Sequence, residues 1–299
     1  MLAPVVPPVP LEAQEALKSA GEEYYDFLSL LDLSERPALN YRTLSDSEWT
    51  VSPGARHPWS GLNLGRTHNW SDRVALRVYG PELFVSVNTG APYGYYDGAL
   101  WQGRGLNSSL SAGLRLEVYG FELTFKPQLS FSQNLEFDIM PSAYPSEYGY
   151  FWGYGIDAPQ RFGKDPFLVY DWGDSELRYT WKTLTLGFGT QSVWLGPAKI
   201  NPILHSNNAP SYPKFDIGLR RQPVTIPWLN WYIGDFEARL WIGRLTESGY
   251  FDNDTSNDNT MFHGFSLAYA PSFVPGLTLS VNRVCLVPWE RENLKYMFP

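Results

Sequence analysis

The residues with the clearest chemical potential lie in a loop-like run, Trp194 to Pro210, that holds a tryptophan, a histidine and two adjacent asparagines. Three prolines and one glycine interrupt it, so a regular backbone ladder cannot pass through it. Aromatic rings stack on the apolar faces of sugars, and amide side chains bond sugar hydroxyls. Because loops of this length are uncommon unless they carry function, the run is a candidate sugar site.

Aromatic residues also gather in two other long loops, near 89–107 and 133–173. With the first loop they supply the candidate sugar-binding residues Trp194, Asn207, Asn208, Tyr212, Trp152, Tyr150, Tyr154 and Trp101. For any single one of them, packing within the loop is an alternative to ligand contact. The two asparagines could equally hold turns through their own backbone.

Other chemistries find little support in the sequence. His205 and Ser206 are adjacent, so they would diverge in an extended segment, and the chain has no nucleophile elbow, P-loop or HExxH motif. The acidic run Asp252–Asn259 lacks the glycine and the distal glutamate of an EF-hand loop, and we interpret it as a solvated loop. We therefore expect a protein that is not an enzyme, with no catalytic residue, metal site or cofactor.

The composition limits the class of protein further. A net charge of −8 and a pI near 5.1 argue against a nucleic-acid partner. Aromatic residues reach 16%, and they need a core, a sugar-binding surface or a membrane-interface belt. The single cysteine, Cys285, excludes a disulfide framework. No segment approaches the ~20 apolar residues of a membrane helix, and Met1–Pro10 does not resemble a signal peptide.

From about Trp59 onward, apolar and polar residues alternate, which predicts strands with two unlike faces. The connections alternate as well. Tight turns are predicted near Gly80, Gly120, Lys182, Pro227 and Pro275-Gly276, and long loops near 89–107, 133–173, 194–213 and 247–260. Short turns at one end and long loops at the other are typical of an up-and-down antiparallel transmembrane β-barrel. A soluble sandwich or propeller is the alternative, because period two does not say which face points inward.

The polar face favours the barrel. It carries many charged residues, which suit a polar lumen better than the rim of a sandwich, and aromatic residues gather at strand ends. The charged ladders are Arg73/Arg77, Arg115/Glu117, Glu122/Lys126, Glu176/Arg178 and Glu237/Arg239. We interpret them first as lumen-facing ion pairs, with selectivity for an anionic solute or an acidic polysaccharide as the alternative.

Two short helices are predicted before the strands, Leu11–Ala20 and Glu22–Leu33, with Gly21 ending the first. The second helix has an apolar stripe made by Tyr24, Phe27, Leu28 and Leu31. We expect this piece to dock at the tight-turn end. The predicted division is a helical, periplasmic segment over 1–56 and an all-β barrel over 57–299.

Several short elements spread over the chain carry a family resemblance. They are Tyr25–Leu31, Arg36-Pro37, Asp165-Pro166, Asp171-Trp172-Gly173, Trp194–Pro197, Leu204–Pro213, Gly234-Asp235-Phe236 and Gly243-Arg244-Leu245. With these elements the chain resembles the capsule-assembly Wzi family of bacterial outer-membrane proteins. The resemblance implies a barrel of about eighteen strands with helices closing its periplasmic end. It also implies a lectin-like role in binding capsular or other surface polysaccharide at the cell surface.

The expected partners are thus polysaccharide and outer-membrane lipid, and we expect a monomer located in the bacterial outer membrane. A porin-like channel with a charged lumen is the alternative function. The sequence supplies only about eleven strands, an odd number that is unusual for a bacterial barrel. We therefore expect either a fragment of a longer protein or a gene model that has lost strands.

Overall fold

A computed structural model describes residues 20–40, 42, 50–51, 66–71, 73–141, 157–196, 198, 201–251 and 254–297. Its elements in chain order are α1 Ala20–Leu30, β1 Ser34–Glu35, β2 Thr50–Val51, β3 Arg66–Ser71, β4 Val74–Asn88, β5 Gly105–Val118, β6 Phe121–Phe125, β7 Gln128–Ser132, β8 Phe167–Asp171, β9 Glu176–Trp181, β10 Leu184–Gly189, β11 Lys214–Ile226, β12 Trp231–Thr246, β13 Asn259–Pro271, β14 Leu279–Pro288 and a 3-10 helix Arg291–Met297. The described chain is therefore all-β with few helices, as predicted.

The strands from β3 to β14 form one antiparallel sheet in which each strand lies beside its neighbours in the sequence. Strands β6 and β7 are two halves of one strand, because both pair with β5 and the chain between them is only Lys126 and Pro127. Strands β8 and β9 are likewise two halves of the next strand. The predicted antiparallel meander is confirmed. No pairing between β14 and β3 is found among the described residues, so closure into a barrel stays a prediction.

The connections alternate as the sequence predicts. Tight connections cover 72–73, 119–120, 182–183, 227–230 and 272–278, whereas the long loops cover 89–104, 133–166, 190–213 and 247–258. All long loops therefore lie at one end of the sheet, the loop end, and all short connections lie at the other, the tight-turn end. The loop predicted over 133–173 is shorter than expected, because Phe167–Asp171 pairs with β7 as a strand.

The turn predicted at Gly80 is wrong, because β4 continues through it. Between Tyr79 and Glu82 the pairing with β5 shifts by one residue, which defines a β-bulge. Gly80 has φ +66°, and a Cβ there would lie 2.8 Å from the carbonyl oxygen of Ser111. The extra residue reverses the alternation while it keeps the apolar side chains on the same face. In the sequence, this reversal gives the same pattern as two strands separated by a turn.

The two faces of the sheet are inverted relative to a soluble protein. Side chains on the polar face are buried, among them Asn107, Arg115, Glu122, Lys126, Gln128, Arg178, Thr185, Asp216 and Glu237. Side chains on the apolar face are exposed, among them Leu83, Val85, Val87, Leu110, Leu123, Leu177, Phe188, Leu267 and Val281. A sandwich would bury its apolar faces instead. The sequence pattern did not say which face of the sheet is buried. In the structure it is the polar face that points inward.

Helix α1 differs in its bounds from the prediction. It contains Gly21 and ends at Leu30, and Asp32 follows with φ 55°. The amide of Leu33 donates to the carbonyl of Leu28 at 3.0 Å, which is a Schellman-type end. Leu28 in the predicted stripe is buried, but Leu31 lies beyond the helix and is exposed.

Some predictions fall outside the described residues or are not tested by them. The first predicted helix lies almost entirely in residues 1–19, and the start of the strand predicted from Trp59 is also outside the description. The division at residue 56 stays a prediction. Among the described helices, none has the length and apolarity needed to cross a membrane.

Candidate functional site

Four aromatic rings form a continuous row at the loop end, contributed by two loops that are far apart in sequence. The centroids of Tyr93 and Tyr95 are 5.3 Å apart, those of Tyr95 and Tyr96 5.7 Å, and those of Tyr96 and Trp194 5.0 Å. Tyr93 is 62% exposed, Tyr95 and Trp194 are partly buried, and Tyr96 is buried. We name Tyr93, Tyr95, Tyr96 and Trp194 the aromatic platform. Such spacings are typical of favourable ring contacts, and the exposed end offers a stacking surface.

The two predicted asparagines join the loops that carry this platform. The side-chain amide of Asn207 donates to the backbone carbonyl of Tyr96 at 3.0 Å. The backbone carbonyl of Asn207 accepts from the backbone amide of Gly98 at 3.0 Å. The Asn208 side-chain oxygen accepts from the backbone amide of Tyr96 at 3.0 Å. The sequence predicted bonds to the loop's own backbone or to a sugar. Instead, the partner is the backbone of the 89–104 loop.

A buried polar layer supports the platform from below. Asp97 accepts a hydrogen bond from the side-chain amide of Gln102 at 2.6 Å, and Gln128 bonds the backbone at both Asp97 and Ala99. Burial raises the pKa of the Asp97 carboxyl, although the bond from Gln102 opposes this effect. Gln128 belongs to the polar face of β7, so the 89–104 loop folds onto the inner face of the sheet.

A small apolar cluster anchors the 190–213 loop on the same inner face. It consists of the buried residues Val193, Leu195, Tyr212, Trp241 and Phe262. Two strand glycines leave room for its large rings. A Cβ at Gly243 would lie 2.5 Å from the Tyr212 ring, and one at Gly264 would lie 2.6 Å from Trp241. This cluster thus lies between the loop and the inner face of the sheet, and we name it the floor of the loop.

Two apolar residues of this loop do not belong to the cluster. Ile203 is 95% exposed and Leu204 is 40% exposed, so neither anchors the loop. Val193 and Leu195, on either side of Trp194, take that place. Tyr212 is only 8% exposed, so its ring has no open face to offer a ligand.

His205 is a structural part of this floor. Its Nδ1 lies 2.5 Å from the carbonyl oxygen of Val193 and must donate, so its Nε2 accepts from the Tyr212 hydroxyl at 3.0 Å. The ring also stacks on Phe262 with centroids 5.1 Å apart. Burial lowers the pKa of His205 to about 4 and raises that of Tyr212. His205 is therefore neutral near pH 7, with both nitrogens occupied.

The free energy of unfolding should fall as the pH drops from about 6.5 to about 4, because the unfolded chain protonates His205 in this range and the folded chain does not. Each pH unit costs at most about 1.4 kcal/mol. We expect His205→Asn, which cannot titrate, to flatten this part of the dependence. Urea unfolding in detergent at pH 7.5 and pH 5.0 measures it. Equal pH dependence in the two proteins would contradict the assignment.

The remaining predicted site residues are placed differently or not described. Trp101 packs edge-on against Phe162 with centroids 4.8 Å apart, and its backbone carbonyl accepts from the Ser132 hydroxyl. Trp101 thus joins the 89–104 and 133–166 loops. Its described contacts do not include the aromatic platform. Trp152, Tyr150 and Tyr154 lie outside the described residues.

Charged residues from four of the predicted ladders form ion pairs on the polar face. Arg115 bonds Glu117 at 2.7 Å and Glu122 at 2.5 Å. Arg178 bonds Glu176 at 2.8 Å and Asp216 at 2.7 Å, and Asp216 also bonds Arg239 at 2.8 Å. Glu122 of β6 therefore pairs with an arginine of β5, and the Asp216 carboxylate of β11 is shared between arginines of β9 and β12.

No group of side chains suited to hold a metal ion is found in the described part of the chain. In the acidic loop, Asp254 accepts from the amide and the hydroxyl of Ser256, at 3.0 and 2.6 Å, which closes a local turn. Asp252 and Asn253 lie outside the described residues.

The fold defines an antiparallel meander with a buried polar face, an exposed apolar face and interlocked loops at one end. Residues 145–287 match the family model described as Capsule assembly protein Wzi. The resemblance seen in the sequence is thus confirmed over that part of the chain. No curated protein and no solved structure matches the chain.

Sequence reasoning missed two parts of this site. Tyr95 and Tyr96 belong to a tyrosine-rich loop that the sequence does reveal, but their contact with Trp194 depends on pairing between distant loops. Asn40 bonds Gly196 of the 190–213 loop, and Arg42 bonds Asp174, which in turn accepts from Ser192 of that loop. Neither residue of the N-terminal segment has a sequence signal.

Proposed function

We propose that this chain is an outer-membrane β-barrel whose loop end binds and anchors capsular or other surface polysaccharide in support of capsule assembly. The family match over residues 145–287 supports the role in capsule assembly. The aromatic platform carries the proposed binding, because stacked rings beside amide groups are the chemistry that sugars need. It lies at the loop end, where an outer-membrane barrel presents its long loops to the outside.

The exposed apolar face supports the membrane location. A soluble protein rarely exposes contiguous apolar surface on this scale, whereas a barrel in lipid requires it. Exposed aromatic residues collect at the tight-turn end, namely Trp70, Tyr119, Trp181, Trp228, Trp231 and Phe273. Trp289 is exposed at the loop end, directly after β14. Aromatic girdles of this kind mark the two interfaces of a membrane.

The proposed activity is binding without turnover. His205 donates to a backbone carbonyl and accepts from Tyr212, so it does not serve Ser206 as a base. We propose a monomer with polysaccharide and outer-membrane lipid as partners and no cofactor or nucleic acid.

Trp194→Ala should reduce affinity for surface polysaccharide about tenfold, equivalent to about 1.4 kcal/mol, because the platform loses its ring contributed by the 190–213 loop. Retention of polysaccharide on cells and binding to purified protein measure the effect, with heat-modifiability on gels as the check that the sheet is intact. Asn208→Ala should give a smaller loss, because it frees only the Tyr96 amide.

Trp228→Ala is the matched control, since Trp228 is 94% exposed at the tight-turn end. It should leave retention unchanged. Full retention by a folded Trp194→Ala protein would contradict the proposal, whereas loss of heat-modifiability would assign Trp194 a purely structural role.

A porin-like channel is the alternative, and the buried charges of the polar face are what favour it. They are, however, paired with one another, and two long loops fold onto them. We expect little steady conductance from the protein in planar bilayers, compared with a general porin measured alongside. A large steady current would favour the channel.

A further inference from the structure

An N-terminal segment crosses the polar face of the sheet. We name residues 34–40 and 42 the strap. Near the tight-turn end, Arg221 of β11 donates to the carbonyl of Arg36 at 2.7 Å and pairs with Glu35 at 3.0 Å. Arg221 also pairs with Asp235 of β12 at 2.6 Å. The strap is thus fixed at this end by an arginine of the sheet.

The middle of the strap is bonded to three successive strands. The backbone amide of Leu39 donates to Glu237 of β12 at 2.8 Å. The side-chain amide of Asn40 donates to Ser266 of β13 at 2.7 Å and to Asn282 of β14 at 2.6 Å. The strap therefore lies on the buried polar face and replaces water there as the partner of inward side chains.

The far end of the strap reaches the loop that carries Trp194. The side-chain oxygen of Asn40 accepts from the backbone amide of Gly196 at 3.0 Å. Arg42 makes a bidentate pair with Asp174, at 2.9 and 3.0 Å, and Asp174 in turn accepts from the backbone amide of Ser192 at 3.0 Å. The two bonded amides lie two residues before and two residues after Trp194.

We propose that Asn40 and Arg42 are positioning residues of the aromatic platform, acting through the backbone at Gly196 and Ser192. This inference rests on the proposed function for its effect on binding, but not for its effect on geometry. The Asp174 carboxylate is fully buried, and the loss of Arg42 would remove its bidentate ion pair and leave Lys126 as the other nearby cation. Loss of either Asn40 or Arg42 removes a constraint on the backbone beside Trp194. The Trp194 ring then no longer keeps a fixed contact with Tyr96.

The test compares the full-length protein and its variants in detergent micelles after labelling with 5-fluorotryptophan. Trp194→Phe identifies the fluorine resonance of Trp194. We expect Asn40→Ala and Arg42→Ala to shift or broaden this resonance and to lower polysaccharide affinity three- to tenfold. Arg42→Lys keeps the charge but loses the bidentate geometry, so it should fall between the original protein and Arg42→Ala.

Ser266→Ala is the matched control, because it removes one bond between the strap and the sheet and leaves the bond to Gly196 in place. It should move neither the Trp194 resonance nor the affinity. If Asn40→Ala does not fold, Arg42→Lys and Arg42→Ala carry the comparison.

An unchanged Trp194 resonance in a folded Asn40→Ala or Arg42→Ala protein would overturn the inference. So would a shifted resonance with full affinity, provided that Trp194→Ala lowers the affinity. If the resonance moves but Trp194→Ala itself binds normally, the positioning stands and the proposed function fails. A moved resonance together with lost affinity supports both.

Discussion

Asp216→Ala should lower the free energy of unfolding by about 3–5 kcal/mol, because it leaves two buried guanidinium groups without their shared carboxylate. The Asp216 side chain is fully buried and bonds Arg178 at 2.7 Å and Arg239 at 2.8 Å. It joins side chains of β9, β11 and β12, with β10 lying between the first two, so its loss affects these strands together. Urea unfolding in detergent, followed by tryptophan fluorescence, measures the change.

Asp254→Ala is the comparison for this substitution. Asp254 is an exposed carboxylate whose hydrogen bonds to Ser256 close a local turn. Its removal should leave the urea midpoint essentially unchanged, because surface substitutions of this kind have small effects. Similar midpoints for the Asp216 and Asp254 variants would mean that the buried network contributes little.

The proposed membrane location predicts that Leu110→Arg destabilises the inserted protein by about 2–4 kcal/mol, because the exposed apolar face near the middle of β5 would then carry a charge into lipid. Leu106→Arg, on the same face of the same strand near the loop end, should cost only about 0–1 kcal/mol. Both leucines are 43% exposed. Their exposure therefore cannot cause a difference between them, but their depth in a bilayer can.

Folding of the two variants into lipid vesicles, with urea titration, measures this difference. The same titration in detergent-free buffer is informative only if the protein folds there. Equal costs for the two substitutions would contradict the membrane location. Folding as a monomer in buffer without detergent would exclude the membrane location.

The sequence predicted the sheet well because its signals are local. Alternation at period two, together with a turn residue such as Lys182 with φ 56°, needs no information from distant residues. The error at Gly80 has the same origin, since a bulge and a turn both reverse the alternation locally. Which face is buried was not decidable from period two, and the burial of the polar side chains in the folded sheet resolves it.

The site was predicted only in part, because its geometry depends on contacts between distant segments. Trp194, Asn207 and Asn208 were identified by residue type, and they do lie together with the 89–104 loop. Their partner, the backbone at Tyr96, is 111 residues from Asn207, and no pattern in the sequence signals such a pairing. Tyr212 was predicted as a site residue because of its aromatic ring. The absence of a side chain at Gly243 leaves space for that ring to be buried in the floor of the loop.

The strap also has a consequence for the order in which the molecule assembles. Its hydrogen bonds join residues 132 positions apart at Arg42 and Asp174, and 242 positions apart at Asn40 and Asn282. Contacts of such long sequence separation form late, because the entropy of closing the intervening chain must be lost first. The strap, which precedes the sheet in the chain, thus acquires its full set of native partners only when the last described strand is in place. These contacts therefore form together only after the part of the sheet from β9 to β14 has folded.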